Sequence, residues 1–275
     1  AGVSVLKKFT SGTIHINVNG KDEVNPIFLN AEGTQVNKII GKHPAGNVGV
    51  QIHHLDPISK GDVVWTVNPY GVIQIGKLFL EGKYDASKIV ALTGSEVSNP
   101  QYYKTYGGAA IKTFTEGNLK SDHVRYVSGN VLTGENIGEE GHLGFYTQQF
   151  TVLPEGDHYD MFGWIIPRFN RLSFHKSIGL FSYLNSSKKE YVLDTNTNGE
   201  PRAFVQTGSF EKVVPMDILP VHLLKAILAE DYDEMEALGI YEVIEEDFAL
   251  CEFIDISKHN VQSILREGLD LIQYS

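Results

Sequence analysis

"DVVWTVNPYGVIQIGKLFLEG", Asp62 to Gly82, joins two signals in one run. "DVVWTV" is β-branched and apolar, the mark of a strand. Asn68-Pro69 then sets an N-cap residue before a proline at the first helical position, and the apolar periodicity runs to Glu81 and stops at Gly82. A strand passing straight into a helix is α/β grammar. Upstream, "TIHINV" (Thr13 to Val18) closes on Asn19-Gly20 and repeats the strand-and-turn signal. The region 1–84 therefore reads as part of an α/β sheet whose earlier strands are missing. The opening "AGVSVLKKFTSG" has no initiator Met or signal-peptide core, and reads as if the chain opens partway through an element.

The region 85–215 is strand-rich. Strands are expected over "KIVALTG" (Lys88 to Gly94), "HVRYVSG" (His123 to Gly129), "FYTQQFTVL" (Phe145 to Leu153), "FGWIIP" (Phe162 to Pro167), "KEYVLD" (Lys189 to Asp194) and "RAFVQTG" (Arg202 to Gly208), with a turn at Asn198-Gly199. One short helix, "AAIKTFTEG" from Ala109, interrupts them. A small mixed sheet with a single helix is a β-grasp pattern, with its strand order left open. From 216 to 275 the signal is helical. Asp217 is placed to cap "ILPVHLLKAIL", Asp231 and Glu234 form a capping-box-like pair, a turn or two is expected over Glu245 to Cys251, and Ser257 is placed to cap a last helix through Ile272 with Val261, Ile264, Leu265 and Leu271 on its stripe. The fold class expected is α+β in three regions.

Composition narrows the function classes. The 275 residues are 42% hydrophobic, enough for real cores, and no run reaches the length a membrane helix needs. A single cysteine, Cys251, excludes an intramolecular disulfide and fits a reducing compartment. The net charge of −11 lies in one place: Glu230 to Asp255 holds eleven acidic and no basic residues. The rest of the chain balances, without the basic patch that a nucleic-acid partner would require. The acidic run reads as a solvated face, with a docking surface for a basic partner as the alternative.

One stretch concentrates unusual residues: "KHPAGNVGVQIHHLDP", Lys42 to Pro57. Gly46 and Gly49 sit at the start of a helix whose expected apolar face is Val48, Ile52 and Leu55. First-turn N–H groups there are open to an anion or a polar carbonyl. A metal site on His43, His53 and His54 is the weaker alternative, since no two lie at the spacing that puts imidazoles on one helix face, and adjacent His53 and His54 should diverge. No phosphate loop, dinucleotide fingerprint or nucleophile motif is present. Glu139-Glu140 and Glu245-Glu246 read as surface pairs, and Trp65, Tyr70, Tyr102, Tyr103, Tyr106 and Trp164 as mostly core or domain-interface residues.

From that stretch through "VVWTVNPYGVIQIGKLFLEG", "VALTGSEV", "VSGNVLTG", "MFGWIIP", "GSFEKVVPMDILP" and "EEDFALCEF", the chain resembles the A subunit of the bacterial sodium-translocating NADH:quinone oxidoreductases, with the blocks in family order across nearly its whole length. The resemblance implies the end of a Rossmann-like α/β domain (1–84), a β-grasp, soluble-ligand-binding domain (85–215) and a small helical C-terminal region (216–275), with the family's first portion lying outside this sequence. It implies a peripheral subunit on the cytoplasmic face of the inner membrane, beside the integral membrane B subunit. It further implies no redox cofactor on this subunit, with flavins and an iron-sulfur cluster on partner subunits and quinone as substrate of the complex. Members of that family carry a second cysteine a few residues after the position of Cys251; Asp255 stands there in this chain.

Two functions stay open on this reading. In one, the subunit contributes to quinone access and binding, with His43, Gly46, Gly49, His53 and Tyr70 as candidate contacts and no catalytic or metal residue. In the other it is a docking module, and the membrane subunits alone hold the quinone. A free-standing metallohydrolase built on the three histidines is the remaining, weaker class.

Overall fold

The structure, a computed structural model, describes residues 1–162, 172, 174, 190–204 and 208–274. The described chain forms two compact units. One comprises residues 1–86, 204–255 and 259–275; the other comprises 87–203 and 256–258. The first and third regions of the sequence thus share one unit. No helix among the described residues is long and apolar enough to cross a membrane.

In the first unit, α1 (Gly2–Leu6), β1 (His15–Asn19), α2 (Pro26–Leu29), β2 (Gln35–Ile39), α3 (Val48–Leu55) and α4 (Pro69–Glu81) follow in order. The α4 boundaries are those its caps dictate. The Asn68 side chain accepts from the Gly71 N–H at 2.7 Å, and Gly82 closes the helix at φ 69°, where glycine alone carries no Cβ penalty. α1 lies against α4 through two glycines: a Cβ on Gly2 would sit 2.1 Å from the Val72 carbonyl oxygen, and one on Gly76 would sit 3.0 Å from the Gly2 nitrogen. β1 and β2 pair in parallel from His15↔Gln35 to Asn19↔Ile39, joined by the crossover that carries α2.

"DVVWTV" does not form the expected strand. Among the described residues it pairs with nothing, and Val63 and Trp65 are 79% and 86% exposed. β-branching makes a segment fit for a sheet, but a strand exists only beside a partner edge.

The second unit is built on one mixed sheet in the order β4 (Gln101–Tyr106), β3 (Ser87–Thr93), β7 (Gln149–Pro154), β5 (Val124–Ser128), β6 (Glu135–Asn136). β3 and β7 run parallel at its centre and the other pairs are antiparallel. Its core joins Val90, Leu92, Phe150 and Val152 with Ile111, just ahead of the short helix α5 (Lys112–Thr115). The strand expected from Phe145 begins only at Gln149, and Phe145 and Tyr146 stay exposed. β4 has no counterpart among the expected strands. Its Tyr102 and Tyr106, expected in a core or at a domain interface, lie exposed on the outer face, while Tyr103 turns inward onto Phe114. Of the later expected strands, residues 163–167, 189 and 205–207 lie outside the described residues, as does Trp164; Glu190 to Asp194 and Arg202 to Phe204 are not strands.

The C-terminal part of the first unit consists of α6 (Pro220–Leu228), α7 (Tyr232–Ala237), 3-10 turns at Ile240–Glu242 and Glu245–Phe248, α8 (Ala249–Ile254) and α9 (Val261–Tyr274). Leu223, Leu224, Met235, Ile240, Phe248, Cys251, Val261 and Leu265 form its core. Gly268 lets α9 approach α6, since a Cβ there would lie 2.6 Å from Ile227 Cγ1. Ile264, Leu269 and Ile272 flank this line, so the stripe passes through Ile272 and not Leu271.

Two expected caps act elsewhere. α6 begins after Leu219 without a side-chain cap, and the Asp217 N–H is directed at His53. α9 begins at Val261, the Gln262 N–H donates to Glu252 Oε2, and the Ser257 hydroxyl donates to the Ala203 carbonyl. Asp231 does cap α7, accepting from the Glu234 N–H at 3.1 Å.

Candidate functional site

α3 is where the unusual stretch becomes structure. Its expected apolar face, Val48, Ile52 and Leu55, is not the one that docks. Val50 is its buried residue, at 2% exposure within the core of the C-terminal helices, while Val48 is 37% exposed. The residues turned to the same side are Gly49, His53 and His54. Around the apolar core that takes Val50, the surface α3 meets is lined with polar groups.

Each of those groups is specific. The backbone N–H of Asp217 donates to His53 Nε2 at 3.0 Å, so the ring proton is on Nδ1, which donates to Glu242 Oε2 at 2.7 Å. Both nitrogens of His53 are engaged, and no lone pair is left for a metal. His54, expected to diverge, reaches the same segment and donates from Nε2 to the Pro215 carbonyl at 2.8 Å. The two rings meet edge to face at 5.3 Å. Asn47, the N-cap of α3, donates from its side chain to the Glu246 carbonyl at 2.9 Å.

The open helix start is closed from within. Asp247, fully buried, sets its carboxylate against Gly49: a Cβ there would lie 2.0 Å from Oδ2. Oδ2 accepts from the Ile244 N–H, and Oδ1 has no hydrogen-bond partner among the described residues. Burial is the main cause that pushes this carboxyl up to about 6, against smaller opposing contributions from the hydrogen bonds of Ile244, Val50 and Asn47. The anion that the first turn of α3 suits is therefore supplied by the chain itself.

The remaining candidates face outward or stand apart. His43 is exposed, and Gly46 has nothing within 4 Å of where a Cβ would sit. Tyr70 lies half-buried in the first turn of α4, and no hydrogen bond or ring contact among the described residues links it to His43, Gly46, Gly49 or His53. No three His, Cys, Asp or Glu side chains among the described residues gather as a metal-binding group. Cys251 is fully buried, and burial pushes its thiol far up.

The acidic run is largely consumed in these contacts. Glu242 takes His53, Glu236 takes Lys60, Glu245 takes Arg266, Asp255 takes His259, Glu252 caps α9 and Asp231 caps α7. The first part of the run is the expected solvated face, with Glu230, Asp231, Asp233, Glu234 and Glu236 exposed, and the later part, from Glu242, is drawn into the contacts named here. Replacing His53 with alanine removes two hydrogen bonds, from the Asp217 N–H and to Glu242, and should cost about 1–3 kcal/mol, with His54→Ala well below that because it loses one bond at an exposed ring. Urea midpoints of the two variants check the order, which equal losses would contradict.

Comparison with known proteins follows this geometry. The family model described as "NqrA second alpha/beta domain" matches residues 1–84, and "NQRA C-terminal domain" matches residues 89–138. The chain is 40% identical over 275 residues to the A subunit of the Na(+)-translocating NADH-quinone reductase of Alcanivorax borkumensis, covering 99% of this chain and 60% of that protein. It is 37% identical to the corresponding proteins of Shewanella frigidimarina and Pasteurella multocida, with the same coverage. It thus spans about three-fifths of the length of these relatives. The chain thus carries the matches of two family models named for these A subunits, and along 99% of its own length it is similar to the A subunits of the Na(+)-translocating NADH-quinone reductases.

Proposed function

We propose that this chain acts within a sodium-translocating NADH:quinone reductase as part of a peripheral subunit that helps admit and bind quinone and holds the complex together. The observation that carries the reading is the unbroken similarity to the family's A subunits over 99% of the chain. On this reading residues 1–84 are the end of a Rossmann-like domain and the second unit is a β-grasp domain. The protein sits on the cytoplasmic face of the inner membrane against the integral membrane B subunit. It carries no redox cofactor of its own, and flavins and an iron-sulfur cluster reside on partner subunits.

The two-faced form of the stretch from Lys42 to Pro57 divides the candidate residues by role. Gly49 and His53 face the C-terminal helices and position the segment. His43 and Gly46 face outward, where a quinone carbonyl can accept a hydrogen bond from the imidazole and approach a backbone free of side chain. Titrating the intact protein with a short-chain water-soluble benzoquinone, followed by ligand-detected NMR, tests this. Affinity should fall tenfold or more in His43→Ala; unchanged affinity in a folded variant would remove the assignment.

A second reading is favoured by one observation: Asn47, Gly49, His53 and His54 are all committed to contacts within the chain. On that reading the segment is architecture, and the whole protein is a docking module next to membrane subunits that hold the quinone. Retention of the membrane B subunit on the intact protein, with no saturable quinone binding in its absence, is the result it expects.

A further inference from the structure

The sequence holds two Asn-Gly pairs, Asn19-Gly20 and Asn198-Gly199. Such a pair carries a reaction of its own. The glycine nitrogen gives up its proton and attacks the asparagine Cγ, the new C–N bond closes a succinimide ring, and the side-chain nitrogen leaves as ammonia. Water then adds at either ring carbonyl and reopens the ring as aspartate or isoaspartate. The balance is a water gained and an ammonia lost, with no oxidant, metal or enzyme. Glycine favours the attack because no Cβ restricts its backbone or shields its nitrogen. What decides the rate in a folded chain is whether that nitrogen is held.

The structure holds one pair and leaves the nitrogen of the other open. Asn19 ends β1, and the Gly20 N–H donates to the Ile39 carbonyl at 2.9 Å, continuing the ladder with β2. The Asn19 side chain is engaged at both of its polar atoms: Nδ2 donates to Asp22, and Oδ1 accepts from the Lys21 N–H at 3.0 Å. Gly20 is also closely packed, since a Cβ there would lie 2.7 Å from Ile40 Cγ1. Attack at Asn19 therefore requires the sheet hydrogen bond and the side-chain bonds to break together. Asn198 and Gly199 lie instead in an exposed run from Thr197 to Ala203. Asn198 stands at φ 55°, its N–H donating to Asn196 Oδ1 at 2.7 Å and its Nδ2 to the Asn196 carbonyl at 2.9 Å. Neither bond involves the nucleophile. Among the described residues the Gly199 N–H donates to no acceptor, and the Thr197 hydroxyl binds Gly199 at its carbonyl, at 2.8 Å.

We propose that Asn198 is a modification site of the folded protein, converting spontaneously to aspartate and isoaspartate, and that Asn19 is locked against the same reaction. The product carries a negative charge where the chain begins with a neutral amide, and isoaspartate also threads its Cβ into the main chain ahead of Gly199. Both changes arise beside Lys258, whose Cε lies 3.2 Å from where a Cβ on Gly199 would sit. They fall just before Arg202 and Ala203, whose hydrogen bonds to Ser257 tie residues 256–258 into the second unit.

The test uses the intact wild-type protein, held warm at mildly alkaline pH and sampled over days. Peptide masses after digestion give the modified fraction at each asparagine, and a methyltransferase specific for isoaspartate counts that product. The fraction at Asn198 should exceed that at Asn19 tenfold or more, and in concentrated urea the two should react at similar rates, both being bare Asn-Gly pairs there. Gly199→Ala, whose Cβ meets only the flexible stem of Lys258, should slow the reaction at Asn198 tenfold or more. Equal fractions in the folded protein, or an Asn198 that stays intact while both sites react in urea, overturn the proposal. A preference for Asn198 that persists unchanged in urea overturns it as well, because the ladder would then not be what protects Asn19.

Discussion

Asparagine at position 247 should make the protein more stable than the wild type at pH 7.5 and remove most of that advantage at pH 4.5. The reason is the sign of the linkage. Burial raises the Asp247 carboxyl from an ordinary carboxylate value to about 6 in the folded state. Between those values the folded chain holds a proton that the unfolded chain has released, so stability falls as pH rises through the window and is level above it. A shift of this size corresponds to about 3 kcal/mol. An amide is uncharged at every pH, and its oxygen can still accept from Ile244. Other carboxylates run the opposite way: Glu245 is held low by Arg266 and Glu155 by Arg125. The informative quantity is therefore the difference between variant and wild type, read from urea midpoints at the two pH values. A difference that does not change with pH would show that Asp247 ionises in the folded state as freely as in the unfolded one.

Alanine at position 49 should destabilise the chain by about 1–3 kcal/mol, the usual range for forcing a methyl group into a filled site. Its Cβ would meet the Asp247 carboxylate at 2.0 Å, and that carboxylate is enclosed on all sides. Alanine at position 46, three residues earlier in the same glycine pattern, meets nothing within 4 Å and should be neutral. The mechanism has its own control. In an Asp247→Ala background the obstruction is gone, and the Gly49→Ala penalty should shrink to a few tenths of a kcal/mol, so the pair is strongly non-additive. Thermal or urea unfolding of the four proteins settles it. Penalties that simply add would mean that the glycine is needed for its backbone and not for its missing side chain.

What could be read in the sequence was what neighbouring residues decide. The α4 helix is written in Asn68, Pro69 and Gly82, each acting within one turn of its own position. The β3 and β5 strands were marked by runs rich in valine, isoleucine and other strand-forming residues, each closed by a glycine. The same rule misread "DVVWTV", because a strand also needs an edge to pair with and that edge is not a local property. β4, "QYYKTY", escaped notice because only one of its faces is apolar enough to register.

The site failed to read for a related reason. Asp217 and Ser257 were assigned to caps by proximity, whereas α6 starts without a side-chain cap and Glu252 caps α9 from another element. The importance of "KHPAGNVGVQIHHLDP" was visible, and so was the charge imbalance of the run from Glu230 to Asp255. That one is the counterpart of the other was hidden, since no pattern within either segment names a partner in the other. Asp247, the residue on which Gly49 depends, looked like one surface carboxylate among many. An acidic run with no lysine or arginine of its own was the available hint that its partners lie elsewhere.

The first unit is assembled from separated stretches of chain, with the second unit's sequence inserted between them. Asn47 and its acceptor at Glu246 are 199 residues apart. During synthesis at about 5–20 residues per second, the ribosome needs on the order of 10–40 s to supply the second after the first. For that interval Val50, His53 and Gly49 have emerged without the surface they fit, while residues 87–203, all but three of the strand-rich unit, are made. Ribosome-bound chains halted before Glu242 should therefore expose the α3 segment to protease, and chains released after Asp247 should protect it. In the order of its birth, the protein completes its middle before it can close its beginning.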